Sequence, residues 1–364
     1  MTEVPAGFSE VVGEFPVPGE PVEVVAWGGG HIHDTFRALY RLSPGGGMAA
    51  FVHQRVNEEV FPDLNILMDN LARVTAHLCN GDPRPRRALE LMPATDGRSY
   101  VRDSEGRAWR TFPFVPFTTT RDEASTPELA ESAARAFGAF QKAVVDLPGP
   151  RLHEVIPGFH DTPSRFETFR RALAGDRQRR AADCRPEVDF ALAHEDLCQV
   201  LLGPHRDGAF PERLAHNDAK LNNVLLDSDS GEAMCVVDLD TVMPALSLYD
   251  FGDLVRTASH HAAEDTTVLS EVRVDAELMA ALGRGYLAEA GEFLNETERE
   301  LLFDSGRLIA FETGLRFLTD HLQGDTYFKV HRPDHNLHRC RTQFALVADL
   351  EARDAELRAL LKKV

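Results

Sequence analysis

A chain of 364 residues that is 43% hydrophobic holds enough apolar material for two cores, and its length favours two lobes over one. Its net charge of −19, from 58 acidic and 39 basic residues, excludes nucleic acid and anionic lipid as partners. No run reaches the roughly 18 apolar residues of a membrane span, and the first 36 residues carry no Lys or Arg that could open a secretory signal, so a cytoplasmic protein is expected.

Residues 1–20, rich in Pro, Gly and Glu, read as a loosely held arm. Val22 to Trp27, Phe36 to Leu42 and Phe51 to Val56 read as strands, the first two joined by a glycine loop, Gly28-Gly29-Gly30-His31. Strand, glycine loop, strand, turn, strand opens a kinase-like small lobe, in which the backbone of Gly29, Gly30 and His31 would approach phosphates. Arg55, on the third strand, stands where a lysine would hold the α- and β-phosphates, with its own acidic partner left open. Pro62 to Asn80 has helical spacing in Leu64, Leu67, Leu71, Val74 and Leu78. A hairpin is expected around Asp103-Ser-Glu-Gly106, and Phe112-Pro-Phe-Val-Pro-Phe117 then interrupts regular structure. A hinge is placed at 112–117, its backbone reading an adenine edge and aromatics such as Phe114 covering the ring.

From Ser125 the chain turns helical, with Ser125-Thr-Pro-Glu128 as a capping box. Asp161-Thr-Pro163 begins another helix. The densest chemistry follows in His216 to Asp253. His216-x-Asp218-x-x-x-x-Asn223 has the spacing of a kinase catalytic loop, in which the aspartate orients the attacking hydroxyl and the asparagine binds Mg²⁺. Lys220 is placed to offset charge on the transferring phosphoryl group. Val224 to Leu226 and Met234 to Val237 read as a hairpin, and a two-residue Ser230-Gly231 turn would set Asn223 opposite Asp238. Those two would be metal ligands, with Asp240 a third or an outer partner. Asp250-Phe251-Gly252 spells the metal-binding tripeptide of protein kinases, yet Asp238 ends the apolar strand paired with the catalytic loop. Asp250, with His216, is therefore read as a brace that accepts backbone N–H bonds.

Helices are expected over Ala276 to Leu294, Glu298 to Leu322 (capped by Thr297-x-x-Glu300) and Asn336 to Leu361. His331, His335 and His338 lack a carboxylate or cysteine to complete a zinc set. The five scattered cysteines, without a C-x-x-C pair, read as reduced thiols.

The catalytic segment, with Gly28 to Phe36, Gln54-Arg-Val-Asn57, Val60-Phe61, Leu67-Met-Asp-Asn70, Gly314 to Asp320 and Gly324-Asp-Thr-Tyr-Phe328, resembles the aminoglycoside phosphotransferase and choline kinase superfamily. Within it the chain is most similar to the N-acetylhexosamine 1-kinases, although His33 stands where Asn is expected and Ala219 where Thr is expected. The resemblance covers most of the chain. It implies that Arg316, Asp325 and Tyr327 line the acceptor pocket and that the acceptor is the anomeric hydroxyl of an N-acetylhexosamine. An internal ion pair of Arg316 with Glu312 or Asp320 is the structural alternative.

The expectation is an α+β, bilobal protein-kinase-like fold, with a β-rich nucleotide-binding lobe over 1–115 and a helical lobe over 116–364. It would transfer the γ-phosphate of ATP, with Mg²⁺, to a small-molecule hydroxyl. Aminoglycoside, choline or other amino-alcohol kinases are the alternatives within the enzyme class, and a nucleotide-binding pseudokinase is the alternative outside it.

Overall fold

The computed structural model describes residues 5–28, 32–42, 45–81 and 88–364, so Gly29, Gly30 and His31 lie outside the described residues. The fold is α+β and divides into two compact units. The first unit comprises Met1–Thr118, Asp146–Ile156 and Met234–Val242, and the second the remainder. A single cut near residue 115 therefore misses two segments. Asn70, buried in helix Leu64–Gly81, shows why they belong with the first unit. Its amide donates to the carbonyls of His153 (2.8 Å) and Val242 (3.2 Å) and accepts the His153 N–H (3.0 Å).

The first unit is built on an antiparallel sheet of strands β1 (Glu20–Ala26), β2 (Asp34–Arg41), β3 (Met48–Arg55), β4 (Val101–Arg102) and β5 (Ala108–Pro113), in the order β1-β2-β3-β5-β4. Asp103 shapes the β4–β5 turn by accepting the N–H groups of Glu105 and Arg107 and the indole N–H of Trp109. Successive side chains alternate faces, and the two faces differ in kind. One packs Tyr40, Phe51, His53 and Trp109 into the core, with the His53 ring bonded to Tyr40 (2.9 Å) and Thr111 (2.8 Å). The other carries Arg37, Val52, Gln54, Arg110 and Phe112, by the register Arg37↔Val52↔Phe112 and Gln54↔Arg110.

The expected loose arm is overturned. Phe8, Val11 and Phe15 are at most 3% exposed, and Phe8 sets its ring edge-on to His53 and Trp109. Short apolar anchors between Gly and Pro residues lack any periodicity, so the sequence hid them.

The second unit is helical. Helix Pro127–Val144 is capped by Thr126, one residue after the expected cap, and Thr162–Gly175 by Asp161. The long expected helix near 300 is two: Glu296–Glu300, with a reciprocal capping box between Asn295 and Glu298, and Leu302–Gln323. The last helix likewise breaks at Arg353, into His335–Ala352 and Asp354–Leu361. Helices Leu248–Ala258 and Leu302–Gln323 cross closely through glycine. A Cβ on Gly252 would stand 2.5 Å from the Ser305 carbonyl oxygen, and one on Gly306 would stand 2.7 Å from a Val255 methyl. Among the described residues no helix is long and apolar enough to cross a membrane, and all five cysteines are free.

Phe8→Ala is expected to lower the unfolding free energy by about 3–5 kcal/mol, the cost of a large ring removed from a packed core. Urea denaturation checks it, since a ring on a loose arm would cost close to nothing.

Candidate active site

The loop after strand Arg213–Ala215 is held from beneath by a buried carboxylate. Asp250, fully buried on the first turn of helix Leu248–Ala258, accepts the backbone N–H of His216 (2.8 Å) and of Asn217 (2.7 Å) and an amide N–H of Gln141 (2.6 Å). Gln141 in turn accepts the Tyr286 hydroxyl at 2.6 Å. Burial pushes the Asp250 carboxyl upward, and the field of His216 and the N–H donors act against that rise. The imidazole of His216 lies edge-on to Phe137 and Phe140 and accepts the Asp218 N–H through Nδ1. Asn217 has φ +65°, a left-handed conformation that a residue with a side chain keeps only where its surroundings impose it.

Beyond this grip the loop presents Asp218, Lys220 and Asn223 together. Lys220 Nζ is 2.8 Å from Asp218 Oδ1, and the Asn223 amide donates to Asp218 Oδ2 (3.1 Å) and to its carbonyl (2.8 Å). Burial opposes ionisation of Asp218, yet the Lys220 ammonium, with His216 and Arg256 behind it, holds the carboxyl below its usual range. Burial likewise works against the Lys220 charge, and Asp218 and Asp253 prevail and raise its pKa. Asp253 is engaged by Arg256 at 2.7 Å, and Arg256 by Glu264 at 3.1 Å.

The hairpin that follows is closed by a loop wider than expected. The Asp227 N–H reaches the Glu232 carbonyl across four residues, so the register that would have set Asn223 opposite Asp238 does not follow. Asp238 belongs to the first unit, where it is exposed and has φ +61°. Asp240, two residues on, is buried, with Oδ1 taken by Arg110 (2.5 Å) and Oδ2 by Arg110 and His33 (2.6 Å each). Asp240 is thus an ion-pair anchor, which of its two expected roles leaves that of an outer partner. Arg110, which sequence reasoning passed over, could have been found only through the Gln54↔Arg110 register.

Arg55 is corrected too. It lies on the core-facing side of β3, opposite to Gln54 and Arg110, and its open partner is Asp34 across the ladder at 2.6 and 2.9 Å. The Phe114 ring meets Trp27 edge-on at 5.4 Å, with the Arg37 guanidinium 5.2 Å from each ring centre.

In the second unit, Arg316 is not paired with Glu312 or Asp320. Buried Glu312 is bonded by His160 (2.8 Å) and Thr162 (2.5 Å), and Asp320 accepts the N–H groups of Thr326, Tyr327 and Phe328 and the Asn336 amide. The Arg316 guanidinium instead lies among the rings of Phe159 (5.4 Å), Phe328 (5.5 Å) and Tyr327 (6.0 Å). It has no hydrogen-bond or ion-pair partner among the described residues. Burial first, then the like charge of Arg316, lowers the pKa of Arg165, which donates to the Phe159 carbonyl. Asp325, expected to touch the acceptor, has its oxygens occupied by Arg180 (2.5 Å) and Asn336 (2.9 Å), which corrects that role to a structural one. His160 joins this cluster to the loop, since its Nε2 is 3.4 Å from the Asn217 carbonyl.

Two outcomes are expected. Asp250→Ala strands two buried N–H groups and should cost about 3–5 kcal/mol of stability, the penalty for removing one partner of a buried charged network; its melting temperature checks this. For Glu312, burial acts upward, but His160, Arg165 and Arg316 bring its carboxyl down from 4.5 to about 2. The stability this lends is complete above 4.5 and is lost as the pH falls toward about 2. Glu312→Gln should therefore flatten the fall in melting temperature over that window.

A sequence model of the phosphotransferase enzyme family matches residues 72–298. Among solved structures, an aminoglycoside phosphotransferase from Alicyclobacillus acidocaldarius is similar at 13% identity and a TM-score of 0.59, over 100% of this chain and 98% of that one. A choline kinase from Cryptosporidium parvum is similar at 13% identity and a TM-score of 0.59, over 98% of each chain. A microcompartment-associated aminopropanol kinase follows at 16% identity and 0.57, over 96% of this chain and 97% of that one. These likenesses carry the fold, a protein-kinase-like one, and the family match over more than half the chain carries the rest: the chain belongs to the phosphotransferase enzyme family, as a small-molecule phosphotransferase acting on hydroxyl groups.

Proposed function

We propose that the protein transfers the γ-phosphate of ATP to a hydroxyl of a neutral amino sugar, the anomeric hydroxyl of an N-acetylhexosamine, to give a sugar 1-phosphate. The observation that carries phosphoryl transfer is the Asp218, Lys220 and Asn223 cluster on a loop gripped by Asp250. Asp218, kept ionised by Lys220, accepts the proton of the acceptor hydroxyl as that oxygen bonds to the γ-phosphorus. The bond from phosphorus to the bridging oxygen of ADP then breaks. Lys220 offsets charge on the transferring group. A pseudokinase would have no use for a carboxylate held ionised in this way.

Hard oxygen donors suit Mg²⁺. In the second unit the Asn223 amide nitrogen is spent on Asp218, which leaves its oxygen as a donor, and in the first unit Asp238 is exposed; each would be a ligand by its place in the sequence motif. Mg²⁺, when bound, would neutralise triphosphate oxygens. The Phe114 and Trp27 rings offer an apolar surface for a nucleobase.

For the acceptor, Arg316 separates the readings. Three rings of the kind that hold an alkylammonium already enclose a guanidinium, with Arg165 as a second positive charge close by. Glu312 is consumed by His160 and Thr162. An aminoglycoside, choline or other amino alcohol would add a third cation, whereas a sugar offers hydroxyl and acetamide oxygens to the Arg316 donors and an apolar face to Tyr327. The net charge of −19 and the likeness to choline and aminopropanol kinases are what favour a cationic acceptor.

Asp218→Asn should leave Mg-ATP affinity within a few-fold and cut turnover on the order of 10²–10⁴, as for a lost positioned base. ADP release with N-acetylhexosamines and amino alcohols in parallel tests the acceptor. Arg316→Ala is expected to raise KM for the sugar and leave KM for ATP in place. Faster turnover of an amino alcohol by the wild-type protein would overturn the sugar reading.

A further inference from the structure

The turn that carries Asp238 holds two aspartates with opposite fates. Asp238 is exposed, while Val236, Leu239 and Asp240 around it are buried. Its backbone, at φ 61° and ψ 53°, costs a residue with a side chain and persists only where neighbours impose it. The imposing contacts lie just beyond it. Leu239 is packed into the interior and accepts the Val242 N–H at 3.2 Å. Asp240 is gripped on both oxygens. Arg110 engages it as a fork, and the remaining edge of that guanidinium is bonded to Gln54 at 2.8 and 2.9 Å. His33 Nδ1 accepts the Asn57 N–H at 3.0 Å, so its Nε2 carries the proton given to Asp240 at 2.6 Å. Its ring is stacked on Phe61, with centres 5.6 Å apart.

We infer that Arg110 and His33 are positioning residues that act through Asp240 to hold Asp238 where it can take a metal-bound nucleotide, an inference that rests on the kinase reading above. A buried ion pair contributes little net stability, and apolar residues of similar volume often replace one without loss. Geometry is what it supplies here. A planar fork fixes the direction and the distance of a carboxylate, and the histidine adds a third bond from the segment that follows the glycine loop. Of the two aspartates, the one held rigidly touches no reactant and sets the backbone of the one that would.

The test is ATP binding by calorimetry on the full chain, with and without Mg²⁺. In the wild-type protein Mg²⁺ should tighten ATP binding. His33→Ala and Asp240→Asn should keep metal-free ATP affinity within a few-fold and lose roughly tenfold or more of the gain from Mg²⁺, the usual effect of removing an outer partner of a metal ligand. His33→Gln, which keeps a donor near the same place, should restore most of that gain. Asp240→Asn leaves the Arg110 charge buried and risks unfolding, so Arg110→Met with Asp240→Leu serves as an uncharged, packed control. Folded by circular dichroism, this double variant should still lack the Mg²⁺ gain. A wild-type gain in the folded double variant and in His33→Ala overturns the inference alone. Absence of any gain in the wild-type protein overturns it together with the kinase reading.

Discussion

One buried carboxylate holds the reactive loop in shape. Asp250 lies in an environment that disfavours its charge, and it is stabilised by donors it needs as much as they need it: two consecutive backbone N–H groups and one amide. The two N–H bonds fix the chain up to the nitrogen of Asn217, and the left-handed conformation of Asn217 then turns it toward Asp218. Asp218 follows at once, so its direction is decided by a residue that does not react. The same carboxylate reaches back through Gln141 to Tyr286, tying the loop to two further helices of its unit.

The first unit repeats this economy with different parts. There the left-handed residue is the presented aspartate itself, Asp238, two residues before a buried partner whose oxygens are fully engaged. In both places the carboxylate that would meet a ligand, half-buried at Asp218 and exposed at Asp238, is positioned by backbone, and the backbone by a buried carboxylate. Strain is kept next to the groups that would meet ligands, and rigid packing lies one or two residues away.

Local pattern made much of this legible. The three opening strands, helix Leu64–Gly81 and the helices begun at Thr126 and Asp161 were visible because apolar period and capping chemistry are written within a few residues. The Asp218, Lys220 and Asn223 grouping was visible because one tight loop carries all three. What stayed hidden depends on register and distant pairing. Arg55 suits a phosphate and Arg110 draws no notice until the ladder puts Arg55 beside Asp34 and Arg110 beside Gln54. Asp240 finds its partners 130 and 207 residues away, beyond the reach of any spacing rule. Phe8 and Phe15, surrounded by turn-forming residues, gave no sign of being core. The helix near 300 reads as one because its apolar period runs through the break at Leu301, which Asn295 and Glu298 announce only as a cap of their own short helix.

The glycine of Asp250-Phe251-Gly252 belongs to a helix crossing. With Ser305 pressed against Gly252, and Val255 against Gly306, there is no room for a methyl group at either contact. Helix Leu248–Ala258 therefore cannot move outward without carrying Asp250 away from its two N–H groups. For anyone diversifying the protein toward new acceptors, this sorts the second unit into two kinds of position. The ring-lined surface around Arg316 and Tyr327 is the one to vary in a library, with the Glu312 cluster kept intact, whereas Gly252 and Gly306 must be held constant although neither faces a reactant. A scan that ranks positions by distance from the reactive carboxylate would randomise the wrong ones.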